Sequence, residues 1–167
     1  MEFVNKVAQS GIISFDLETY FPDENQIALF DLKDYLFRGL ILREKDFREA
    51  LAAINWGDYT DKHLAVYCSA DAIIPNWAWM LIVANAEPFA KSITMGDKST
   101  TIKQLIYAAL ANVDKEQFRD QRVIIKGCSD KPVPPEAYLE ITRLLRPLVK
   151  SIMYGEPCST VPVYKKK

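Results

Sequence analysis

Apolar and polar residues alternate near the start of the chain, from Ile13 to Glu18. This period of two is typical of a half-buried β-strand. Residues 21–25 have the composition of a turn, and residues 26–30 have the pattern of a second strand. The sequence therefore predicts an N-terminal β-hairpin at the edge of a sheet.

Short β-rich runs and helical patterns alternate through the rest of the chain. Further strands are predicted at residues 63–67, 91–95, 121–126 and 161–165, and helices over residues 31–55, after Ile74, after Gly96 and from Pro135. Such alternation predicts an α/β sandwich whose mixed sheet is parallel at its centre.

The helix that opens at Pro135 is the most detailed helical prediction. Its apolar positions place Leu139, Leu145 and Ile152 on one buried side, and Ile106 takes the same role in the preceding helix. Pro147 is expected to kink the helix or end its regular part.

Composition adds limits on size and partners. The 167 residues, 49% of them hydrophobic, predict a single globular domain over residues 1–167 with no linker and no internal repeat. Because 21 Lys and Arg residues are balanced by 22 Asp and Glu residues, the composition does not predict binding to nucleic acid.

The compartment is predicted from the chain start and the cysteines. Residues 1–6 lack the basic and apolar regions of a secretory signal, and the most apolar stretch, residues 73–86, is shorter than the ~20 residues that span a bilayer. Three cysteines is an odd number and favours reduced thiols. We expect a cytoplasmic protein with no membrane partner.

The three cysteines carry the candidate chemistry. Each is followed by serine and lies at a strand end or in a loop rich in proline and glycine, namely at Cys68, Cys128 and Cys158. Ligands of open α/β sheets bind beyond the carboxyl ends of the strands, where Cys68 and Cys128 are expected. We therefore predict that the strands ending near Cys68 and Cys128 are parallel neighbours or next-neighbours.

A soft metal site is the sharpest hypothesis that these thiols allow. Thiolates select zinc, Cu(I) or iron–sulfur species, usually with four ligands. The candidate ligands are Cys68, Cys128 and Cys158, with either a fourth ligand from Asp71, Asp130 or His63 or an open fourth position.

Other interpretations of the same residues stay open. The cysteines could be three unrelated loop thiols, or Cys128 could be a nucleophile activated by Lys126 in a thiol-dependent sulfur transferase. A third possibility is an interaction module that uses its tyrosine and tryptophan surface. Trp77 and Trp79 lie on opposite sides of one predicted helix, so at most one of them lines the crevice beside Cys68.

Several segments resemble a known family. Residues 67–75 (YCSADAIIP), 125–129 (IKGCS) and 154–162 (YGEPCSTVP) are similar to signature blocks of an uncharacterised Bacteroidetes family, domain of unknown function 2480, as are residues 4–7 and 42–48. The resemblance spans the whole chain and brings no established activity. It implies genes that neighbour those of iron–sulfur cluster assembly, and hence partners among those proteins. The leading hypothesis is a non-catalytic cytoplasmic accessory protein of metal or iron–sulfur metabolism.

Overall fold

The computed structural model describes residues 11–127, 130–156 and 158–167. Its contacts divide the chain into two compact units. The central unit is Pro22–Gln104, and the terminal unit joins the described residues up to Phe21 with Leu105–Lys167. That residues 1–167 act as one domain stays a prediction.

Strands and helices alternate along the described chain. The strands are β1 (Ile12–Asp16), β2 (Ile27–Asp31), β3 (His63–Tyr67), β4 (Ser92–Met95), β5 (Arg122–Lys126), β6 (Ser151–Glu156) and β7 (Ser159–Lys165). The α-helices are α1 (Glu44–Ala52), α2 (Asn76–Ala86), α3 (Lys98–Ala111) and α4 (Pro135–Leu145). None of the helices in the described residues has the length and apolar character that a membrane span requires.

The strands form two sheets, and the predicted α/β class with parallel central strands is confirmed. The terminal unit has the order β1-β5-β6-β7, in which β7 alone is antiparallel to its neighbour. The central unit has the order β2-β3-β4, with every pairing parallel. Buried side chains such as Leu64 and Val123 on the middle strands explain the short apolar runs in the sequence.

The predicted N-terminal hairpin is wrong. β1 pairs in parallel with β5, and β2 pairs in parallel with β3, so the two strands are edges of different sheets. The aspartate that ends each strand turns the chain into a 3-10 helix, because Asp16 accepts from the Glu18 amide and Asp31 from the Lys33 amide. These turns lead the chain away from its own strand and leave no tight reversal between β1 and β2.

The expectation of no internal repeat is also wrong. Residues 12–21 align without a gap with residues 27–36, and residues 118–156 align without a gap with residues 59–97. The second alignment contains these identical pairs: Asp61 and Asp120, Asp71 and Asp130, Pro75 and Pro134, Ala78 and Ala137, Ile82 and Ile141, Pro88 and Pro147, Lys91 and Lys150, Ser92 and Ser151, Ile93 and Ile152, and Gly96 and Gly155.

The backbone conformation and the strand register agree with this alignment. Asp61 and Asp120 both have positive φ, at 62° and 57°. The strand registers agree as well, since Ile12 faces Arg122 in the terminal unit and the aligned Ile27 faces His63 in the central unit. The two units therefore repeat one architecture.

The end of α4 corrects two sequence-based expectations. The helix ends at Leu145, so the predicted effect of Pro147 is confirmed. Ile152 belongs to strand β6 instead of the helix, and Leu139 is 66% exposed. Because Pro147 ends the helical hydrogen bonding, the apolar residues after it are free to continue as a strand. Ile106 and Leu145 are buried, as predicted.

Candidate functional site

A cavity of about 410 Å³ lies at the carboxyl ends of β3 and β4 in the central unit. This is the edge of a parallel sheet where ligands of α/β proteins bind. The residues that line the cavity are Val66, Tyr67, Cys68, Ala70, Ala72, Ile74, Trp79, Met95 and Gly96. The volume falls within the range of about 300 to 1,000 Å³ that is typical of small-molecule pockets.

Cys68 is positioned by the loop that follows β3. It is half-buried, packs against the apolar core of the central unit, and directs its thiol to the Ala70 carbonyl at 3.6 Å. Trp79 lines the cavity from α2, whereas Trp77 lies against Phe47, with 6.3 Å between the ring centroids. The expectation that at most one of the two tryptophans lines this crevice is confirmed.

The loop is tied to the neighbouring strand through Asp31. Ser69 donates to Asp31 from its amide, at 3.0 Å, and from its hydroxyl, at 2.5 Å. Lys33 donates its amide to the same carboxylate. Partial burial raises the pKa of Asp31, but the hydrogen bonds from Ser69 and Lys33 outweigh burial and hold this pKa below its usual value. The charged carboxylate therefore stabilises the cavity wall.

The cavity lining favours binding of soft and apolar groups. Cys68 supplies a thiol and Met95 a thioether, and Trp79 and Ile74 supply apolar area. Among the described lining residues there is no Lys, Arg, His, Asp or Glu.

The aligned position in the terminal unit has a glycine and two tyrosines. Gly127 aligns with Cys68, Tyr138 with Trp79 and Tyr154 with Met95. A Cβ at buried Gly127 would lie 2.9 Å from Tyr138 Oη, and the rings of Tyr138 and Tyr154 pack edge to face with centroids 5.7 Å apart. Gly127 thus allows the close approach of Tyr138 at a position where the central unit has Cys68.

The predicted neighbouring strands are not neighbours. β3, which ends before Cys68, belongs to the central sheet, and β5, which ends before Gly127, belongs to the terminal sheet. The prediction failed because it assumed one sheet. The alignment also pairs Cys128 with Ser69, one residue beyond Cys68, so the two Cys-Ser dipeptides are not equivalent positions.

Apart from His63, the other predicted ligands that the structure describes lie in loops of both units. Cys158 is exposed at the turn between β6 and β7, and Asp71 is exposed in the loop after Cys68. Asp130 donates its amide to Glu18 Oε1 at 2.9 Å. Cys128, which the sequence proposed as ligand or nucleophile, lies outside the described residues. Lys126, its proposed activator, forms an ion pair with Asp16 at 3.8 Å.

His63 occupies the opposite end of β3 from Cys68. Its Nδ1 forms a hydrogen bond with Ser92 Oγ at 2.6 Å, and burial together with the charge of Lys91 lowers its pKa. Because a strand rises about 3.3 Å per residue, this strand separates His63 from Cys68 by more than metal coordination spans. Within the described ranges, no group of three or more His, Cys, Asp or Glu residues comes together as a metal site.

Sequence reasoning missed Met95 and Gly96 as lining residues. The sequence signal was the alignment of Gly96 with Gly155. Both glycines have positive φ and lie at or near the carboxyl end of the third strand of their repeat. A Cβ at Gly96 would lie 2.6 Å from the Thr100 side chain, so glycine keeps this end of β4 close to α3.

Comparison with known proteins assigns the chain to a family. No curated protein and no solved structure matches the chain. A family model described as protein of unknown function DUF2480 matches residues 1–166, which is nearly the whole chain. The chain therefore belongs to the DUF2480 family.

Proposed function

We propose that this protein is a non-catalytic accessory protein that holds a small apolar ligand in the Cys68 cavity. The observation that carries the proposal is a cavity of about 410 Å³ beside a thiol at the carboxyl edge of a parallel sheet. Apolar area buried on binding contributes roughly 25 cal/mol per Å². Trp79 and Ile74, both half-buried, supply that area.

A soft metal species is a second candidate ligand. Cys68 and Met95 place two sulfur atoms in the lining of one cavity, and sulfur donors select zinc, Cu(I) and iron–sulfur species. The wider site of Cys68, Cys128, Cys158 and Asp71, with zinc or an iron–sulfur species, is a further part of this proposal. The enzyme alternative, with Cys128 as a sulfur-accepting nucleophile, stays a prediction.

The proposal includes a compartment and a class of partner. Cys68 and Cys158 are free thiols, which supports a reducing compartment. We therefore propose a bacterial cytoplasm, within the Bacteroidetes as the resemblance implies, and partners among proteins of iron–sulfur cluster assembly.

The Cys68 cavity is tested with a neutral apolar probe. The full chain is titrated with N-phenyl-1-naphthylamine, whose fluorescence rises in apolar surroundings, and the thiols are then alkylated with N-ethylmaleimide and mapped by mass spectrometry. We expect the bound probe to slow alkylation of Cys68 and to leave the exposed Cys158 at its original rate.

A filled cavity provides the matched control. Ala72→Phe adds a large side chain at the lining and should abolish probe binding, whereas Cys158→Ser, at an exposed turn, should bind the probe like the parent. Probe binding that survives Ala72→Phe, or no protection of Cys68, would contradict the proposal.

A further inference from the structure

A second cavity, of about 540 Å³, lies in the terminal unit at the amino ends of the parallel strands β5 and β6. Its floor is one row of residues across the sheet. Ile12 faces Arg122, Arg122 faces Ser151, and Ser151 faces Lys165. Residues in register on adjacent strands point to the same face, so the row gathers its side chains on one side of the sheet.

The lining is cationic. Arg122, Lys150 and Lys165 contribute three positive side chains, and the described lining contains no carboxylate. Within the described residues, neither Lys150 nor Lys165 forms an ion pair. The nearby Asp120 is engaged by Lys166, 3.5 Å away. Lys150 and Lys165 are therefore the two cations of the lining that can meet a ligand.

Hydroxyl and apolar groups complete the cavity. Ser151 and Tyr164 supply hydroxyls, and Met153, Pro162 and Ile12 supply apolar surface. Arg146 lies over the Tyr164 ring, 4.7 Å from its centroid, and so holds this ring beside the cations. Cations with hydroxyl donors suit phosphate oxygens, and the apolar wall suits an organic group attached to the phosphate.

The central repeat does not build the same cavity. The residues that align with Arg122, Lys150 and Ser151 are His63, Lys91 and Ser92. There Ser92 is hydrogen-bonded to His63, and the sheet β2-β3-β4 contains no antiparallel strand equivalent to β7. Pro162, Tyr164 and Lys165, which come from β7, therefore make the cavity specific to the terminal unit.

We infer that the terminal unit binds a small phosphate-bearing molecule in this cation-lined cavity. The phosphate is held by Lys150 and Lys165, with Ser151 as a hydroxyl donor. The organic part lies on Met153 and Pro162. This site does not depend on the Cys68 cavity, so Cys68→Ser should bind the phosphate ligand like the parent.

The probe is adenosine diphosphate, titrated into the full chain by calorimetry. We expect the double variant Lys150→Glu/Lys165→Glu to weaken binding by at least about 10-fold, as loss of charge-assisted hydrogen bonds does. Lys45→Glu is the control for charge reversal at the surface, because it makes one such substitution at an exposed position of α1 in the central unit and should leave binding unchanged. Ser151→Ala changes no charge and should weaken binding by about 3- to 10-fold if its hydroxyl donates to the phosphate.

Two further probes identify the source of the phosphate. Inorganic phosphate should compete with adenosine diphosphate, and phosphatidylcholine vesicles containing phosphatidic acid should leave the protein in solution. The inference is overturned if the parent binds neither adenosine diphosphate nor phosphate, if it binds only the vesicles, or if Lys45→Glu loses as much affinity as the double variant.

Discussion

Ser69 donates two hydrogen bonds to Asp31, from its amide to Oδ1 at 3.0 Å and from its hydroxyl to Oδ2 at 2.5 Å. The bonds join the end of β2 to the loop that begins at Cys68. A carboxylate on one strand thus fixes the thiol-bearing loop of the next strand. This relationship yields the first two predictions.

Asp31→Ala should raise the rate at which N-ethylmaleimide alkylates Cys68 by about 5-fold or more. That is the change expected when loss of these hydrogen bonds removes about 1 kcal/mol of loop stabilisation. Asp16→Ala is the matched control, since Asp16 aligns with Asp31 in the terminal repeat. An unchanged rate in Asp31→Ala, or an equal rise in Asp16→Ala, would show that the Asp31–Ser69 pair does not hold the loop.

The depressed pKa of Asp31 predicts a pH dependence of stability. Its folded-state pKa lies below the usual 3.8, so its charge stabilises the fold above pH 3.8, and this stabilisation is lost as pH falls through the folded-state pKa. The difference in unfolding free energy between the parent and Asp31→Asn should therefore be largest near neutral pH and shrink below pH 3.8. Urea titrations at several pH values measure it, and a difference that grows as pH falls would contradict the assigned direction.

Buried helix positions predict large effects on stability. Ile106→Ala and Leu145→Ala should each lower the unfolding free energy by about 2 to 5 kcal/mol, because both side chains are buried and their removal leaves a cavity. Leu139→Ala is the control on α4, where the side chain is 66% exposed, and its effect should stay within about 0.5 kcal/mol. Equal denaturant midpoints for all three variants would mean that these helical faces are assigned wrongly.

The sequence predicted the elements of the fold better than their pairing. β3 and β5 are short apolar runs that any parallel sheet would bury, so their pattern was sufficient to find them. The pairing of β1 with β5 could not be read from local pattern, because it depends on partners more than a hundred residues apart. The turn-like composition of residues 21–25 favoured pairing of the first two strands as a hairpin instead.

The internal repeat could have corrected two errors, the N-terminal hairpin and the assignment of Ile152 to a helix. Lys91-Ser92-Ile93 opens β4, and Lys150-Ser151-Ile152 recurs at the start of β6, the strand that sequence reasoning assigned to a helix. Phe-Asp-Leu at β1 and β2 marks two equivalent first strands, which belong in two equivalent sheets. For the candidate site, the sequence identified Cys68 and its crevice, but the close approach of Tyr138 to the aligned Gly127 depends on packing.

The close contact between Gly127 and Tyr138 can be tested directly by substitution. Gly127→Ala should lower the unfolding free energy by about 1 to 3 kcal/mol, because its Cβ would lie 2.9 Å from Tyr138 Oη and 3.0 Å from Leu17 Cβ. Tyr138→Phe removes the hydroxyl, so Gly127→Ala should cost less in that background. Urea denaturation of the two single variants and the double variant measures the coupling, and strictly additive effects would show that the two residues do not compete for the same space.

The last prediction concerns the proposed metal site. If three thiolates bind one soft metal, the parent purified anaerobically without chelator should carry stoichiometric zinc or iron, and Cys68→Ser, Cys128→Ser and Cys158→Ser should each lose most of it. Because thiol ligands must be deprotonated, uptake should release protons and weaken as pH falls. Elemental analysis of the four proteins, purified side by side, distinguishes this pattern from a nucleophile, for which only Cys128 would matter in an activity assay. If the parent holds no metal, and added zinc neither binds nor raises its melting temperature, the metal proposal fails, whereas the apolar Cys68 cavity still depends on its own probe titration.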